Sequence, residues 1–312
     1  MFNPYRTVLD AFVEDCVERY REAFPKRNLG YEQLLEQAAR TALETLLNCD
    51  CPYHDANHTI LVTDAGQAIL RGKLIAQGDV SPQQWVHVML ALLFHDIGYL
   101  RGLLKDDTEG SYIIDEAGNR VNPPAGATDA YMMPYHVTRG RLYIHERFAN
   151  DPLVDVATVA SFIEMTRFPV PDDAHYAPVD TLAGLVRAAD LIGQMGDPLY
   201  SQKLSRLFAE FLETGEAGRL GYHNVGELRA AFPDFFHAHV YPHITEALRF
   251  LRKTQEGQHW MANLFHQLHN EQEGEPGWGP ERGVDATRGA NAARGGDTAP
   301  RPSNVHIAVN NR

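Results

Sequence analysis

The sequence predicts an all-α protein, and two observations support this. Apolar residues recur at helical spacing through most of the chain, and no segment shows the apolar–polar alternation of a half-buried strand. Clusters of Gly, Pro, Asp and Asn separate the helical segments. In chain order, the predicted helices cover residues 7–23, 31–48, 57–77, 82–95, 137–149, 152–166, 180–194, 199–213 and 235–254.

Two segments depart from the helical pattern. Residues 105–134 are rich in Gly and Pro and predict a long loop between two helices, of the kind that often lines a site. Residues 271–312 are rich in Gly, Pro, Arg and Asn and poor in apolar residues, so they cannot bury enough surface to offset the entropy of ordering. We therefore expect a single folded domain over residues 1–270 and a disordered tail over residues 271–312.

The composition restricts the classes of partner. The chain of 312 residues has 28 Lys and Arg against 41 Asp and Glu, a formal net charge of −13, which disfavours general binding to nucleic acid or to anionic membranes. Its 3 cysteines are too few for a disulfide framework. Acidic residues stand where a signal peptide would need its apolar stretch, and apolar runs are short, so we expect neither a signal peptide nor a membrane-spanning segment. We expect a cytoplasmic protein, whose oligomeric state the sequence leaves open.

The first chemical motif is a pair of histidines four residues apart. His54 and His58 lie in the segment YHDANH at the start of a predicted helix, where a four-residue step brings both imidazoles to one face. Two such imidazoles can converge on one metal ion. The alternative is an ordinary helix start, with His54 or Asp55 as the cap and a solvated histidine.

Two further motifs place polar residues in apolar helical segments. His95 and Asp96 end the segment WVHVMLALLFHDIG, where a buried carboxylate needs a partner that a metal ion can supply. The alternative is a plain hydrogen bond between the two residues at the helix end. Asp190 lies in the apolar segment LVRAADLI, where Arg187 is its alternative partner.

The order of these motifs resembles the ligand order of the HD-domain metallophosphohydrolases, over residues 50–200. Within this region YHDANHTILV is similar to a signature of class I cyclic-nucleotide phosphodiesterases, with Asp55 in place of the usual Asn. The segment that begins LVRAADLIGQ also resembles those enzymes, including Pro198 and the pair Glu210-Phe211. The resemblance implies an HD-domain helical bundle around a binuclear metal centre.

The resemblance also implies a role for each motif. His58, His95, Asp96 and Asp190 would hold the first metal ion, Asp96 would also bridge to a second ion, and His54 would be the general acid. In that mechanism a hydroxide shared by two divalent ions attacks phosphorus, and an imidazole protonates the leaving alkoxide. Zinc, iron, manganese, nickel or magnesium would suit such ligands, and the sequence does not identify the metal.

A further histidine matches the same families. His136 precedes Gly140 by four residues, as a histidine does at this point in class I phosphodiesterases and in HD-GYP proteins, so it is a candidate for contact with the second metal or with phosphate. His145 lies nine residues further on and would point to the opposite side of a helix, so we interpret it as a surface residue.

The substrate pocket departs from the phosphodiesterase pattern. When VYP is laid on the family's Val-x-Pro segment, Phe235 occupies the position of the purine-stacking Phe, but Phe232 occupies that of the purine-selecting Gln. Gln194 lies one turn after Asp190 and is a candidate for reading the base instead. The alternatives are core packing for both phenylalanines and a solvated position for Gln194.

These observations favour a metal-dependent phosphodiester hydrolase that acts on a small phosphorylated substrate, with a cyclic nucleotide as the first choice. A histidine at position 54 is the reason, because phosphatases and triphosphohydrolases of the superfamily do not need an acid at that place. The alternatives are a nucleotide phosphatase or triphosphohydrolase of the same superfamily, and a non-catalytic HD module that binds a ligand.

Overall fold

A computed structural model describes residues 3–26 and 28–273 and confirms that the protein is mostly helical. Among these residues, no helix is both long and apolar enough to cross a bilayer. In chain order, the α-helices are α1 (Pro4–Ala23), α2 (Leu29–Leu46), α3 (Ala56–Gln77), α4 (Pro82–Phe94), α5 (His136–Phe148), α6 (Val156–Glu164), α7 (Leu182–Met195), α8 (Tyr200–Thr214), α9 (Glu216–Leu220), α10 (Val225–Phe235), α11 (Tyr241–Leu251) and α12 (Gln255–Glu273).

Local signals set the ends of the helices that carry the predicted motifs. The Asp55 side chain caps α3 by accepting a hydrogen bond from the backbone N–H of His58 at 3.0 Å. Gly78, with φ of 69°, adopts the left-handed conformation that ends this helix. Ser81 and Gln84 form a reciprocal capping box at the start of α4. The starts of both helices are thus fixed by short-range hydrogen bonds.

Two close backbone approaches bring the motif-bearing segments together. α3 packs against both α4 and α7. A Cβ atom on Gly193 would lie 2.5 Å from Cα of Val62, so α7 can approach α3 this closely because the residue is glycine. A Cβ atom on Gly98 would lie 2.0 Å from the carbonyl oxygen of His136. The turn after α4 is therefore pressed against the start of α5.

The predicted helices correspond to α1–α8 and α11, with one error in extent. The helix predicted at 235–254 is interrupted, because Phe236–Val240 form a π-helical turn before α11. Within the described ranges, the sequence pattern misses α9, α10 and α12. α9 is a single short turn, and α10 contains Pro233, which the pattern treats as a helix breaker. Apart from residues 271–273, which end α12, the predicted tail lies outside the described residues.

The predicted loop at 105–134 contains regular structure that the sequence pattern does not show. Two antiparallel strands, β1 (Tyr112–Ile113) and β2 (Arg120–Val121), form a small hairpin. With two residues in each strand, no alternation of apolar and polar residues can be recognised. Arg139 of α5 anchors the loop, because its Nη2 lies 2.9 Å from Oδ2 of Asp107. The segment is thus a long connection between α4 and α5 that contains a small hairpin.

Candidate metal centre

Three packed helices bring four of the predicted ligands to one place. His58 lies in the first turn of α3, His95 and Asp96 directly follow α4, and Asp190 lies in the middle of α7. His58, His95 and Asp96 are buried, and Asp190 is partly exposed. Residues that are far apart in the sequence thus form one cluster.

The donor atoms of these four side chains lie close together. The Nε2 atoms of His58 and His95 are 3.4 Å apart, and Oδ2 of Asp96 lies 3.3 Å from the first and 3.1 Å from the second. Oδ1 of Asp190 lies 3.5 Å from Nε2 of His58 and 3.6 Å from Nε2 of His95. Two ligands of a tetrahedral ion, each about 2.1 Å from the metal, are about 3.4 Å apart. The observed separations fit ligands that share an ion.

One buried oxygen of the cluster has no hydrogen bond to satisfy it. Oδ2 of Asp96 is enclosed, and no group in the described part of the chain donates a hydrogen bond to it. The carbonyl of Leu92 accepts a hydrogen bond from Nδ1 of His95 at 2.7 Å, which directs Nε2 of this imidazole toward the cluster. An unsatisfied carboxylate oxygen beside an imidazole oriented in this way fits a divalent cation.

The charges of the cluster also favour a bound cation. Burial alone would lower the pKa of His58, but contact with Asp190 and Asp96 raises it to about 10. The pKa of His95 is also raised against the effect of burial, chiefly by Asp96. Burial would raise the pKa of Asp96, but His95 and His58 hold it well below its usual range. Without an ion, protons on the imidazoles supply the positive charge that the carboxylates require.

The cluster contains two overlapping groups that could each hold a metal ion. One consists of His54, His58 and Asp96, and the other of His58, His95 and Asp190. Asp96 also faces His136, because its Oδ1 lies 3.7 Å from Nε2 of that residue. The two oxygens of Asp96 therefore face different imidazoles, an arrangement that a carboxylate needs to bridge two ions.

His54 lies beside the cluster in the segment before α3. Its Nδ1 is 2.6 Å from Oε2 of Glu210, a fully buried residue of α8. Burial would lower the pKa of His54, but Glu210 raises it. The neighbouring carboxylate, Asp55, caps α3 instead of contacting this imidazole. Glu210 therefore orients the imidazole of His54.

The side chains of the cluster differ in exposure. Those of His54, His136 and Asp190 are 14%, 16% and 17% exposed, whereas those of His58 and His95 are 5% and 1% exposed. Burial lowers the pKa of His136 to about 4, although Asp96 opposes this, so its imidazole is neutral and able to act as a ligand.

The structure decides between several alternatives for these motifs. His58 is buried and is therefore not a solvated histidine at a helix start. Arg187 does not pair with Asp190, because its Nη1 and Nη2 donate to the carbonyls of Tyr176 and Pro178. His95 and Asp96 are not an isolated pair at the helix end either, since Oδ2 of Asp96 lies 3.1 Å from Nε2 of His95 and 3.3 Å from Nε2 of His58.

The residues predicted for a substrate pocket lie on α7 and α10. Phe232 is buried and packs against Tyr200, which agrees with core packing. Phe235 is half-buried and lies 5.7 Å, between ring centroids, from Phe168. Gln194 is also half-buried, and His145, outside this group, is exposed. Phe235 and Gln194 thus remain accessible, whereas Phe232 does not.

Two residues of the site have no role in the sequence prediction. Glu210 appears there as part of a similar Glu-Phe pair, without a function. Tyr99 has no sequence signal, yet its ring lies between those of His54 and His136, with centroids at 4.7 Å and 4.3 Å. Both contacts depend on how distant segments pack, so spacing along the chain does not reveal them.

The comparisons with known proteins identify a family. A family model described as Npun_R2479-like matches residues 2–273, which include every residue of the cluster. No curated protein matches the chain.

Proposed function

The chain belongs to the Npun_R2479-like family, and we propose that it is a metal-dependent phosphodiester hydrolase of the HD-domain type. The proposed substrate is a small phosphorylated molecule, with a cyclic nucleotide as the first choice. The observation that carries the proposal is the position of His54, an imidazole paired with Glu210, beside a buried cluster that could hold metal ions.

The cluster supplies ligands for two divalent ions in this proposal. His58, His95, Asp96 and Asp190 would hold the first ion, and Asp96 and His136 would contact the second. Zinc, iron, manganese and nickel suit these imidazole and carboxylate ligands, and magnesium suits a position with more oxygen ligands. Bound divalent ions would polarise the phosphoryl oxygens and neutralise negative charge in the displacement.

His54 would donate a proton from Nε2 to the leaving oxygen of the diester. Two features support this role. Glu210 binds the other ring nitrogen, Nδ1, and therefore leaves Nε2 to face the substrate. Glu210 also raises the pKa of His54, which favours the protonated imidazole at neutral pH. A leaving alkoxide needs such a proton, whereas a leaving group that is already a stable anion does not.

The base of the nucleotide would contact Phe235 and Gln194, the two accessible members of the predicted pocket. Phe235 would stack on the ring, and the Gln194 amide would hydrogen-bond to its edge. Phe232 is proposed as a supporting residue behind this pocket, since it is buried. In this proposal Gln194 takes the role of the purine-selecting glutamine, whose position is occupied by Phe232.

The test is a product-resolved screen of the protein reconstituted with manganese. The substrates are cyclic mononucleotides, cyclic dinucleotides, nucleoside mono- and triphosphates and an aryl phosphodiester, with Asp96→Ala as the blank. We expect a cyclic mononucleotide to be opened to a monoester that the blank does not form.

Other products would contradict the proposal and would identify one of the alternative functions. Release of inorganic phosphate or triphosphate would identify a phosphatase or triphosphohydrolase of the same superfamily. A protein that holds metal and turns over none of these substrates would be a ligand-binding module, in which metal raises the stability by binding the folded state alone.

A further inference from the structure

Tyr99 is enclosed between two imidazoles of the candidate site. Its ring is nearly parallel to that of His54, with an interplanar angle of 17° and centroids 4.7 Å apart. On its other face it is nearly parallel to His136, at 14° and 4.3 Å. Tyr99 is buried, so the three rings form a continuous stack. The stack connects the proposed proton donor to the proposed second-metal ligand.

The backbone on both sides of Tyr99 is held in place. Its N–H donates to the carbonyl of Asp96 at 3.1 Å, within the short turn Ile97–Tyr99. Arg139, which is fully buried, donates from Nε to the carbonyl of Gly98 at 2.8 Å and from Nη2 to that of Leu100 at 2.6 Å. The Tyr99 ring therefore projects from a fixed segment.

Residues that pack around Tyr99 also contact His54 and His136 directly. Tyr99 belongs to a small apolar cluster with Cys51 and Ala130, against which Cys49 and Met133 pack. The Cys49 thiol donates to the carbonyl of His54 at 3.5 Å. Nδ1 of His136 lies 2.6 Å from the carbonyl of Met133. Cys49 thus holds the backbone of His54, whose imidazole is held at Nδ1 by Glu210, and the Met133 carbonyl holds the imidazole of His136. Tyr99 contacts one face of each ring.

We propose that Tyr99 is a positioning residue that fixes the separation and the tilt of the His54 and His136 rings. A hydrogen bond to Nδ1 restrains one ring atom but allows the plane to tilt about it. Contact with a flat, buried ring removes that freedom. The expected effect on rate rests on the proposed function, whereas the effect on ring geometry does not.

A positioning role and a merely space-filling role for Tyr99 predict different results, and three substitutions distinguish between these roles. Tyr99→Phe keeps the ring and removes the hydroxyl. Tyr99→Leu keeps an apolar side chain and removes the stack. If the leucine variant does not fold, Tyr99→Met is used in its place, because a thioether adapts to irregular spaces. Phe148→Leu is the matched control, since Phe148 is a buried aromatic residue on α5, the helix that carries His136.

The first readout is steady-state turnover of the phosphodiester found in the screen. A misplacement of about 1 Å can reduce a rate about 100-fold, so we expect Tyr99→Leu to lower kcat by about 10- to 100-fold. KM should change by less than about twofold, because the substrate contacts are retained. Tyr99→Phe and Phe148→Leu should keep kcat within about twofold of the unchanged protein.

The second readout is independent of activity. In protein labelled at histidine, the ring protons of His54 and His136 should show upfield shifts from the Tyr99 ring, with each signal assigned by a His→Gln variant. These shifts should disappear in Tyr99→Leu and persist in Tyr99→Phe. If the unchanged protein hydrolyses no phosphodiester, this result still supports the positioning role while the proposed function fails.

Two results would overturn the positioning role. One is a leucine or methionine variant with unchanged kcat and unchanged histidine signals. The other is a phenylalanine variant that loses as much activity as the leucine variant, which would assign the effect to the hydroxyl rather than to the stacked ring.

Discussion

Glu210 contacts both the imidazole and the backbone of His54, although 156 positions separate the two residues. Its Oε2 lies 2.6 Å from Nδ1 of His54, and its Oε1 accepts hydrogen bonds from the backbone N–H groups of Tyr53 and His54 at 2.6 Å and 3.1 Å. Burial would raise the pKa of Glu210, but His54 and these donors lower it. One ionised carboxylate thus fixes the position and the charge of the imidazole.

Replacing this carboxylate by an amide should impair proton donation by His54. A general acid contributes about 10²- to 10⁴-fold, and we expect Glu210→Gln to lose about 10- to 100-fold of kcat on a cyclic nucleotide. An aryl diester with a good leaving group should lose much less, because its leaving anion needs no proton. The measurement is the ratio of the two kcat values.

The control for this ratio is Glu213→Gln. Glu213 lies on the same helix and binds Thr128 of the long loop, with Oε1 2.7 Å from the Thr128 backbone nitrogen. This variant should leave the ratio unchanged. An equal loss on both substrates in Glu210→Gln would contradict a role in proton donation.

Removal of the His54 imidazole should separate catalysis from metal binding. In His54→Ala we expect turnover of the diester to be lost, while the metal content measured by elemental analysis stays the same, because His58, His95, Asp96 and Asp190 are all retained. His145→Ala, at an exposed histidine, is the control.

The outcome also distinguishes between the two groups that could hold an ion. His54 belongs to one of them, together with His58 and Asp96. Loss of one metal equivalent in His54→Ala would identify His54 as a ligand and would contradict the proposed acid. Full turnover in this variant would exclude the mechanism with His54 as proton donor.

Metal binding should stabilise the protein through the buried cluster. A ligand present at about 100 times its Kd stabilises the folded state by about 2.7 kcal/mol, so manganese or zinc should raise the Tm and a chelator should reverse the change. Asp96→Ala should abolish most of this increase. Asp173→Ala, at an exposed carboxylate, should retain it. An equal increase in both variants would show that the ion binds elsewhere.

The parts of the site that the sequence predicts are those that lie on helices with a regular pattern. His58 lies at the start of a helical segment, His95 ends one and Asp190 interrupts one, and the structure brings them together by packing α3 against α4 and α7. The Tyr99 stack and the Glu210 contact could not be predicted in this way. Tyr99 lies in the turn after α4 and Glu210 lies in α8, and both reach His54 only through the tertiary packing of the chain. The spacing of residues along the sequence carries no signal for such contacts.

The missed helix α12 has a different explanation. Trp260, Leu264 and Leu268 are buried at four-residue spacing, so an apolar stripe is present. The stripe is narrow, and the residues between are mostly polar, which makes the segment similar in composition to the start of the tail. Its helical structure is stabilised by packing against α3, α7, α10 and α11 rather than by a strong pattern of its own.

Arg139 should be essential for stability, because its guanidinium is buried with several acceptors. It donates to three backbone carbonyls, those of Gly98, Leu100 and Ile113, and it pairs with Asp107. The Asp107 side chain is 1% exposed. Arg139→Met leaves that carboxylate without its counter-charge, so we expect a loss of about 3–5 kcal/mol in the free energy of unfolding measured with urea.

Two further variants test this explanation. Arg139→Lys should recover little, because an ammonium group cannot reproduce the planar, multiple donation of a guanidinium. The double variant Arg139→Met with Asp107→Leu should be more stable than Arg139→Met alone, since no buried charge is left unpaired. A double variant with the same stability as the single one would contradict the charge argument.

Asp64 lies in a cluster that joins α1, α3 and α12 and contains more carboxylates than cations. Arg19 lies 2.7 Å from Asp15 and 3.0 Å from Asp64, and it also contacts Glu256. Burial raises the pKa of Asp64 to about 6, with further contributions from Glu256 and Asp15 that Arg19 opposes only in part. One guanidinium cannot neutralise three carboxylates, so Asp64 retains a proton more readily than in the unfolded chain.

This raised pKa makes the contribution of Asp64 to the stability fall as the pH rises. An unfolded Asp has a pKa of about 3.9, so between about pH 4 and pH 6 this residue binds more protons in the folded state than in the unfolded state, and its contribution to the free energy of unfolding decreases with pH. Asp64→Asn removes this dependence while its amide oxygen can still accept the hydrogen bond that Nε1 of Trp260 donates at 3.2 Å. Between pH 4.5 and pH 7, the free energy of unfolding of the variant, measured with urea, should increase by about 1–2 kcal/mol relative to that of the unchanged protein, after allowance for partial solvent screening. If the difference in free energy of unfolding between the two proteins stays constant over this range, Arg19 keeps Asp64 ionised throughout. If the stability of the variant relative to the unchanged protein decreases as the pH rises, the pKa of Asp64 is lowered in the folded state rather than raised.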